Sequence, residues 1–259
     1  DFCLSRGLGD VYKRQGLAML VLYRIYQLFI MVPLMLATTL FAALVTAIGC
    51  MSGSSRFWGY WPAHIWARIC CALTLVRVKV SGRENIDPHT SYVFVANHQG
   101  AYDIFSIYGY LNHNFKWMMK KGLRKIPAVG GACAIAGHIF VDNSSPAAIR
   151  QTMEKAEHTL RDGMSLVVFP EGSRTFTGKM RPFHKGAYQL AMEFHLPVVP
   201  VTIDGAFEVM PRTSRVPRWG TITLTIHPPI EAPADEADRR RVIDASYEAV
   251  HSALPARHK

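Results

Sequence analysis

His98 and Asp103 stand five residues apart in the stretch Asn97-His98-Gln99-Gly100-Ala101-Tyr102-Asp103, directly after the apolar run Tyr92–Ala96. An imidazole held by a carboxylate can take a proton from a hydroxyl, because the acid fixes one ring nitrogen as a donor and leaves the other basic. On a straight helix the two side chains would point about 140° apart, at about 100° per residue. They meet only if the segment turns back on itself, and Gly100 offers the backbone freedom for such a turn. The spacing alone equally allows a loop histidine followed by an aspartate that caps a helix.

A second polar cluster, Phe169-Pro170-Glu171-Gly172-Ser173-Arg174-Thr175, also follows an apolar run. Arg174 carries a planar fork suited to two phosphate oxygens, and the Gly172 and Ser173 amides can add donors. Glu171 is expected to orient Arg174 or another loop group rather than to act as an acid. The same stretch also reads as a solvent-exposed turn. Lys120 and Lys121, just past a third apolar run, either add positive charge to the same mouth or stand solvated. The chain has no Gly-x-Ser-x-Gly elbow. Direct attack by an acceptor hydroxyl on an already activated thioester therefore takes precedence over a covalent intermediate.

The elements that must position these residues alternate in type from about residue 75. Strands are expected at 75–80, 92–96, 115–119, 138–141, 166–169, 198–203 and 221–226. Helices are expected at 104–111, 147–161, 187–194 and 236–254. Ser144-Ser145-Pro146 supplies a cap and a first-turn proline for the second of these helices. Such alternation predicts an α/β sandwich around a mostly parallel sheet, whose ligands sit at the carboxyl ends of the strands.

The N-terminal part reads differently. Ile25–Met51 contains no charged residue and is long enough to cross a bilayer core of about 30 Å. Pro33 is expected to kink it, as membrane helices tolerate. The segment that follows carries Trp58, Trp61 and Trp66 with Arg56 and Arg68, a composition suited to the headgroup region. Trp58, Trp61, Ile65, Ile69 and Leu73 recur at helical spacing, with Arg68 off the stripe. One span plus an interfacial helix, and a hairpin dipping into one leaflet, both fit. Basic residues are denser after the apolar segment than before it, which places the remainder of the chain in the cytosol, at an inner or cytoplasmic membrane. Ser5–Gln15 resembles a transposon-derived sequencing adapter read in frame. Residues 1–15 are therefore expected to be an artefact and are set apart, with membrane-associated helices over 16–74 and the α/β domain over 75–259.

A net charge of +10 over 259 residues invites nucleic acid, anionic lipid or an anionic substrate as partner. The basic residues are scattered and there is no zinc-finger spacing, so nucleic acid is not expected. Setting aside residues 1–15 removes three basic and two acidic residues and leaves +9. Cys3, Cys50, Cys70, Cys71 and Cys133 show no Cys-x-x-Cys pair, so neither a disulfide framework nor a metal site is expected. Oligomeric state is not legible.

Taken together the blocks resemble the 1-acylglycerol-3-phosphate acyltransferase family. Asn97, His98 and Asp103 match its Asn-His-x-x-x-x-Asp block, and Phe169 to Arg174 its Phe-Pro-Glu-Gly-(Thr/Ser)-Arg block. Lys120, Leu123, Ile126 and Pro127 match its Lys-x-x-Leu and Ile-Pro segment. Leu196-Pro197-Val198-Val199-Pro200-Val201 matches its apolar run with a central proline, and Phe183-His184-Lys185-Gly186 is similar to its Phe-Lys-x-Gly region. The resemblance spans about 75–225. It implies a mixed, mostly parallel sheet of the glycerolphosphate acyltransferase type behind an N-terminal membrane segment.

The resemblance also implies transfer of a fatty acyl group from acyl-CoA or acyl carrier protein to a lysophospholipid hydroxyl, with no cofactor. His98 would be the base, Asp103 its orienting acid, and Glu171, Gly172, Ser173, Arg174 and Lys120 the acceptor-phosphate site. Another lipid acceptor, such as a lyso-aminolipid or glycerol 3-phosphate, a lipid hydrolase using the same dyad, and an idle lipid-binding protein are the alternatives. One position departs from the family: Asn143 stands in Phe140-Val141-Asp142-Asn143 where an arginine is usual. If that change shifts acceptor preference, Asn143→Arg is expected to raise turnover of phosphate-bearing acceptors over neutral ones in an acceptor panel.

Overall fold

The computed structural model describes residues 17–142, 144–161 and 163–259. Seven strands form one sheet: β1 (Val76–Ser81), β2 (Val93–Ala96), β3 (Phe115–Lys120), β4 (Ile139–Val141), β5 (Ser165–Val168), β6 (Val198–Asp204) and β7 (Gly220–Ile226). Their order is β1-β7-β6-β2-β5-β3-β4. β6, β2, β5, β3 and β4 run parallel, and β7 pairs antiparallel with β6 while pairing parallel with β1. The sheet is thus mixed and mostly parallel, as the alternating pattern predicts.

Both faces of the sheet are covered, which is why its central strands are almost wholly apolar. In β2, Phe94 and Ala96 point into one core with Tyr102, Ile107 and Phe115. Val93 and Val95 point into the other, with Tyr188, Val242 and Val250. The first face carries α3 (Trp61–Leu73) and α4 (Tyr102–Tyr110). The second carries α7 (Gly186–Glu193) and α9 (Glu236–Ala253), with α6 (Pro146–Arg161) beside β4 and β5. Ser145 Oγ accepts the Ala148 amide at 3.2 Å, the cap expected ahead of Pro146. The short helices α2 (Ser55–Trp58), α5 (Val129–Ile135) and α8 (Ala206–Val209) were not legible from periodicity. α5 contains two adjacent glycines and forms where it packs against the N-terminal helix.

That helix, α1, runs from Leu17 to Met51, eight residues earlier than the charge-free run. Arg24 lies within it and bonds outward to Gln27 Oε1 and Pro217 O. Pro33 is absorbed by a widened turn at Gln27–Met31, where the Val32 amide reaches back five residues to Gln27 O. The wider turn makes room for the proline ring against the preceding carbonyls. One stripe of α1, including Tyr23, Gln27, Met31, Thr46 and Gly49, is buried against the domain, and its other sides expose leucine, isoleucine and phenylalanine. On α3 the expected aromatic and aliphatic stripe faces outward at Trp61, Ile65 and Ile69, while His64, Ala67, Cys70 and Cys71 face the core.

Asn97 sets where β2 ends. Its side-chain amide pairs with both main-chain groups of Ile203, donating to the carbonyl and accepting from the amide at 2.8 Å each. It thereby continues the β2–β6 ladder with a side chain and frees its own backbone to leave the sheet. Asn97→Ala would strand two buried polar groups, each costing roughly 1–3 kcal/mol. Thermal unfolding in detergent is expected to show a clear drop in Tm for this variant.

Candidate active site

Five parallel strands bring their carboxyl ends to one edge, and the chemistry-bearing loops leave from four of them. His98 follows β2, Lys120 ends β3, Asp142 follows β4, and Glu171–Arg174 follow β5. In sheet order these are neighbours, so segments more than seventy residues apart converge. Asn143 lies outside the described residues.

The segment after Asn97 folds back before α4 begins at Tyr102, two residues earlier than expected. Gly100 is placed at the tightest point of this turn. A Cβ there would come within 2.2 Å of Ala206 O, so only glycine fits. The turn brings His98 Nδ1 within 2.7 Å of Asp103 Oδ2. The same oxygen accepts the amides of Gln99 at 2.7 Å and Gly100 at 2.9 Å. Asp103 is fully buried in the first turn of α4, where the helix dipole favours a negative charge. An ionised carboxylate only accepts, so His98 donates from Nδ1 and its Nε2 lone pair is left free. The ring is 14% exposed, enough to be reached from the opening. Asp103 thus ties down its own loop and partners His98; it does not cap the helix, whose cap position is Ala101 with no side-chain cap bond.

Aromatic packing fixes the ring plane. His98 stacks on Phe169 with centroids 3.9 Å apart and an 8° interplanar angle, and Phe169 stacks in turn on Trp117 at 5.4 Å. The face of Phe169 also suits a positively charged imidazole. Phe169 was legible as part of a block but carried no expected role. Trp117 gave no signal beyond its place in a strand.

Glu171 joins the two loops. Oε1 accepts the His98 amide at 2.8 Å and Oε2 accepts the Arg181 amide at 3.0 Å. The side chain is buried, so it braces the main chain around the site. Burial, opposed by those two amides, raises its carboxyl to about 8. Thr175 N donates to His98 O at 3.0 Å, a further tie between the loops.

Gly172 takes a left-handed conformation, φ 71°, and is followed by the half-buried Ser173 and Arg174. Ser173 Oγ accepts from the Arg181 guanidinium at 2.6 Å. The Arg174 guanidinium meets no carboxylate among the described residues, and the Ser173 and Arg174 amides find no acceptor there. Lys120 is exposed at the same edge, one strand beyond β5. No group of three or more His, Cys, Asp or Glu that could hold a metal occurs among the described residues.

Residues 77–204 match the family model described as Acyltransferase. That span includes His98, Asp103 and the Glu171–Arg174 loop, and the fold is that of an acyltransferase enzyme. A 1-acyl-sn-glycerol-3-phosphate acyltransferase of Chlamydomonas reinhardtii is 30% identical over 240 residues, covering 91% of this chain and 69% of the relative. One from Saccharomyces cerevisiae is 30% identical over 205 residues, covering 78% and 67%. A chloroplastic relative from Brassica napus is 30% identical over 177 residues, and there the chain spans about half the relative's length, 51%. The crystal structure of the 1-acyl-sn-glycerophosphate acyltransferase PlsC from Thermotoga maritima superposes with a TM-score of 0.65 at 26% identity, covering 84% of this chain and 95% of that one. The chain belongs to the 1-acyl-sn-glycerol-3-phosphate acyltransferase family.

The raised Glu171 carboxyl has a consequence for stability. Below the usual glutamate range both folded and unfolded chains hold the proton. Between that range and about 8 only the folded chain does, so stability falls as pH rises, by at most about 1.4 kcal/mol per pH unit. Buried His113 and His138, depressed to about 4 and about 3, act with the opposite sign up to about pH 6.5, so thermal unfolding is expected to show this decline in the parent from about pH 7 to 8. In Glu171→Gln the decline should flatten, from a lower starting point because the amide accepts only one of the two N–H groups.

Proposed function

We propose that the protein moves a fatty acyl group from a thioester, acyl-CoA or acyl carrier protein, to the free hydroxyl of 1-acyl-glycerol 3-phosphate, giving phosphatidate. The observation that carries this reading is the His98–Asp103 pair with Nε2 left unpaired at the mouth of the site. His98 Nε2 takes the hydroxyl proton as the oxygen attacks the thioester carbonyl. The C–S bond then breaks, and His98 returns the proton to the leaving thiolate. Asp103 holds the tautomer and supports the imidazolium between those steps, with Phe169 against its face.

The acceptor phosphate is bound by the Arg174 guanidinium and the amides of Ser173 and Arg174, with Lys120 at the neighbouring strand end. Glu171 contributes by holding the His98 and Arg181 main chains in register, a positioning role. The names of the Chlamydomonas and yeast relatives support this acceptor class.

The membrane segment holds the site where acceptor and product reside. α1 touches the domain near its start, Tyr23 and Gln27 at the β6–β7 loop, and again at α5, while Thr39 at Trp66 and Gly49 at Trp58 pack it on the rest of the hairpin. Tyr23 bonds to Thr74 O and so joins the two open ends of the α1–α3 hairpin, and Lys116 of β3 bonds to Ser55 O at its turn. A helix bound along its side to a polar domain lies within one leaflet, with the site on the cytosolic side.

The test is acyl transfer by the purified protein in detergent, with acyl-CoA and lysophosphatidate. His98→Ala and Asp103→Asn are each expected to lower kcat by roughly 10²–10⁴-fold with folding intact. Equal product formation by parent and variants would remove the dyad. Glycerol 3-phosphate and a lyso-aminolipid in the same assay define the acceptor.

A further inference from the structure

The loop between α8 and β7, Pro211–Trp219, is not used by the chemistry above. It reads Pro-Arg-Thr-Ser-Arg-Val-Pro-Arg-Trp, and no acidic residue occurs anywhere from Val209 to Ile230. Arg212, Arg215 and Arg218 are all exposed. Among the described residues neither Arg215 nor Arg218 meets a carboxylate. Two large apolar side chains stand out beside them, Val216 at 42% and Trp219 at 43% exposure. Arginines without counter-ions, interleaved with exposed apolar side chains, are the composition of a surface that meets anionic headgroups and the first carbons beneath them.

The two ends of the loop show what it connects. At its start, Pro211 bridges to Gly100 of the His98 turn, and Met210 O accepts the Ala101 amide at 3.1 Å. Arg212 lies over the Phe176 ring at 4.2 Å and donates to Arg174 O at 3.3 Å. At its other end, Pro217 O accepts Gln27 Nε2 at 2.8 Å, and Trp219 packs edge-on to Tyr23 at 4.6 Å. The loop therefore runs from the membrane helix to the mouth of the site.

We propose that Pro211–Trp219 is a docking surface for anionic phospholipid headgroups of the bilayer, continuous with the lipid-facing sides of α1. Arg215 and Arg218 grip phosphates, and Val216 and Trp219 enter the interface between them. The domain is thereby tilted so that the His98 turn opens toward the lipid surface. The lone charge near the start of α1, Arg24, is turned back onto Pro217 O and so does not oppose insertion of the helix.

Lipid contact can be read without turnover, so this proposal and the assigned reaction fail separately. The full chain is reconstituted into nanodiscs of phosphatidylcholine with increasing phosphatidylglycerol. Brominated phosphatidylglycerol or brominated phosphatidylcholine serves as quencher. The signal of Trp219, one of five tryptophans, is isolated by subtracting the Trp219→Phe protein. Quenching is expected to rise with the anionic fraction and to stay weak in purely neutral discs. Arg215→Gln with Arg218→Gln should raise the fraction needed for half-maximal quenching roughly threefold or more. Arg215→Lys with Arg218→Lys should titrate like the parent. Equal quenching in neutral and anionic discs, or a glutamine variant that titrates like the parent, overturns the proposal. A lysine variant that behaves like the glutamine one also counts against it, since charge would not be the cause.

Discussion

Three N–H donors converge on a single oxygen, Oδ2 of Asp103, and the site depends on that convergence. The Gln99 and Gly100 amides hold the carboxylate as firmly as the His98 ring does. Because the oxygen is buried at the start of α4, it cannot trade these donors for water. The ring nitrogen facing it must carry a proton, so in the neutral ring the lone pair lies on the other. One constraint thus fixes the turn, the tautomer and the direction of the basic lone pair. The stack of His98, Phe169 and Trp117 removes the remaining freedom, rotation of the ring plane.

The surrounding structure protects that geometry. Asn97 closes the sheet where β2 stops, so the turn starts from a fixed point. Glu171 and Thr175 tie the loop after β5 to the backbone of His98, so the two loops move as one. Burying Glu171 for this purpose raises its carboxyl, a cost to stability accepted to keep two strands' loops in register. With Glu171 directed inward, Ser173 pairs with Arg181, and the Arg174 guanidinium meets no carboxylate among the described residues.

The hairpin of α1 and α3 turns a soluble α/β architecture into one that works at a surface. Small and aromatic residues on its inner stripe match the domain, while its outer sides carry aliphatic residues that no part of the described chain covers. Contacts at Tyr23, Gln27, Thr39 and Gly49 span most of α1. Its orientation relative to the site is therefore set by packing and hydrogen bonds and not by a flexible linker.

The sheet order and the short helices show where sequence reasoning stops. Burial on both faces made the central strands legible, since each must be apolar throughout. Their neighbours were not, because pairing is decided by which faces pack together. The early start of α4 and the widened turn before Pro33 arise from local clashes resolved by tertiary contacts, which periodicity does not encode. Arg181 and Arg212 carried no spacing signal, since Arg181 folds back from farther along the β5–α7 connection and Arg212 crosses from the α8–β7 loop.

By itself the sequence determined which residue types lie at the strand ends and that a greasy segment precedes them, because composition and local period suffice for both. It also singled out two short blocks as candidates for the chemistry. Only the tertiary structure decided that His98 and Asp103 face each other, that Glu171 is buried as a brace while Arg174 is only half-buried, and that the arginine loop touches both site and membrane helix. Those facts depend on a turn reversing the chain and on segments far apart in sequence meeting at one sheet edge.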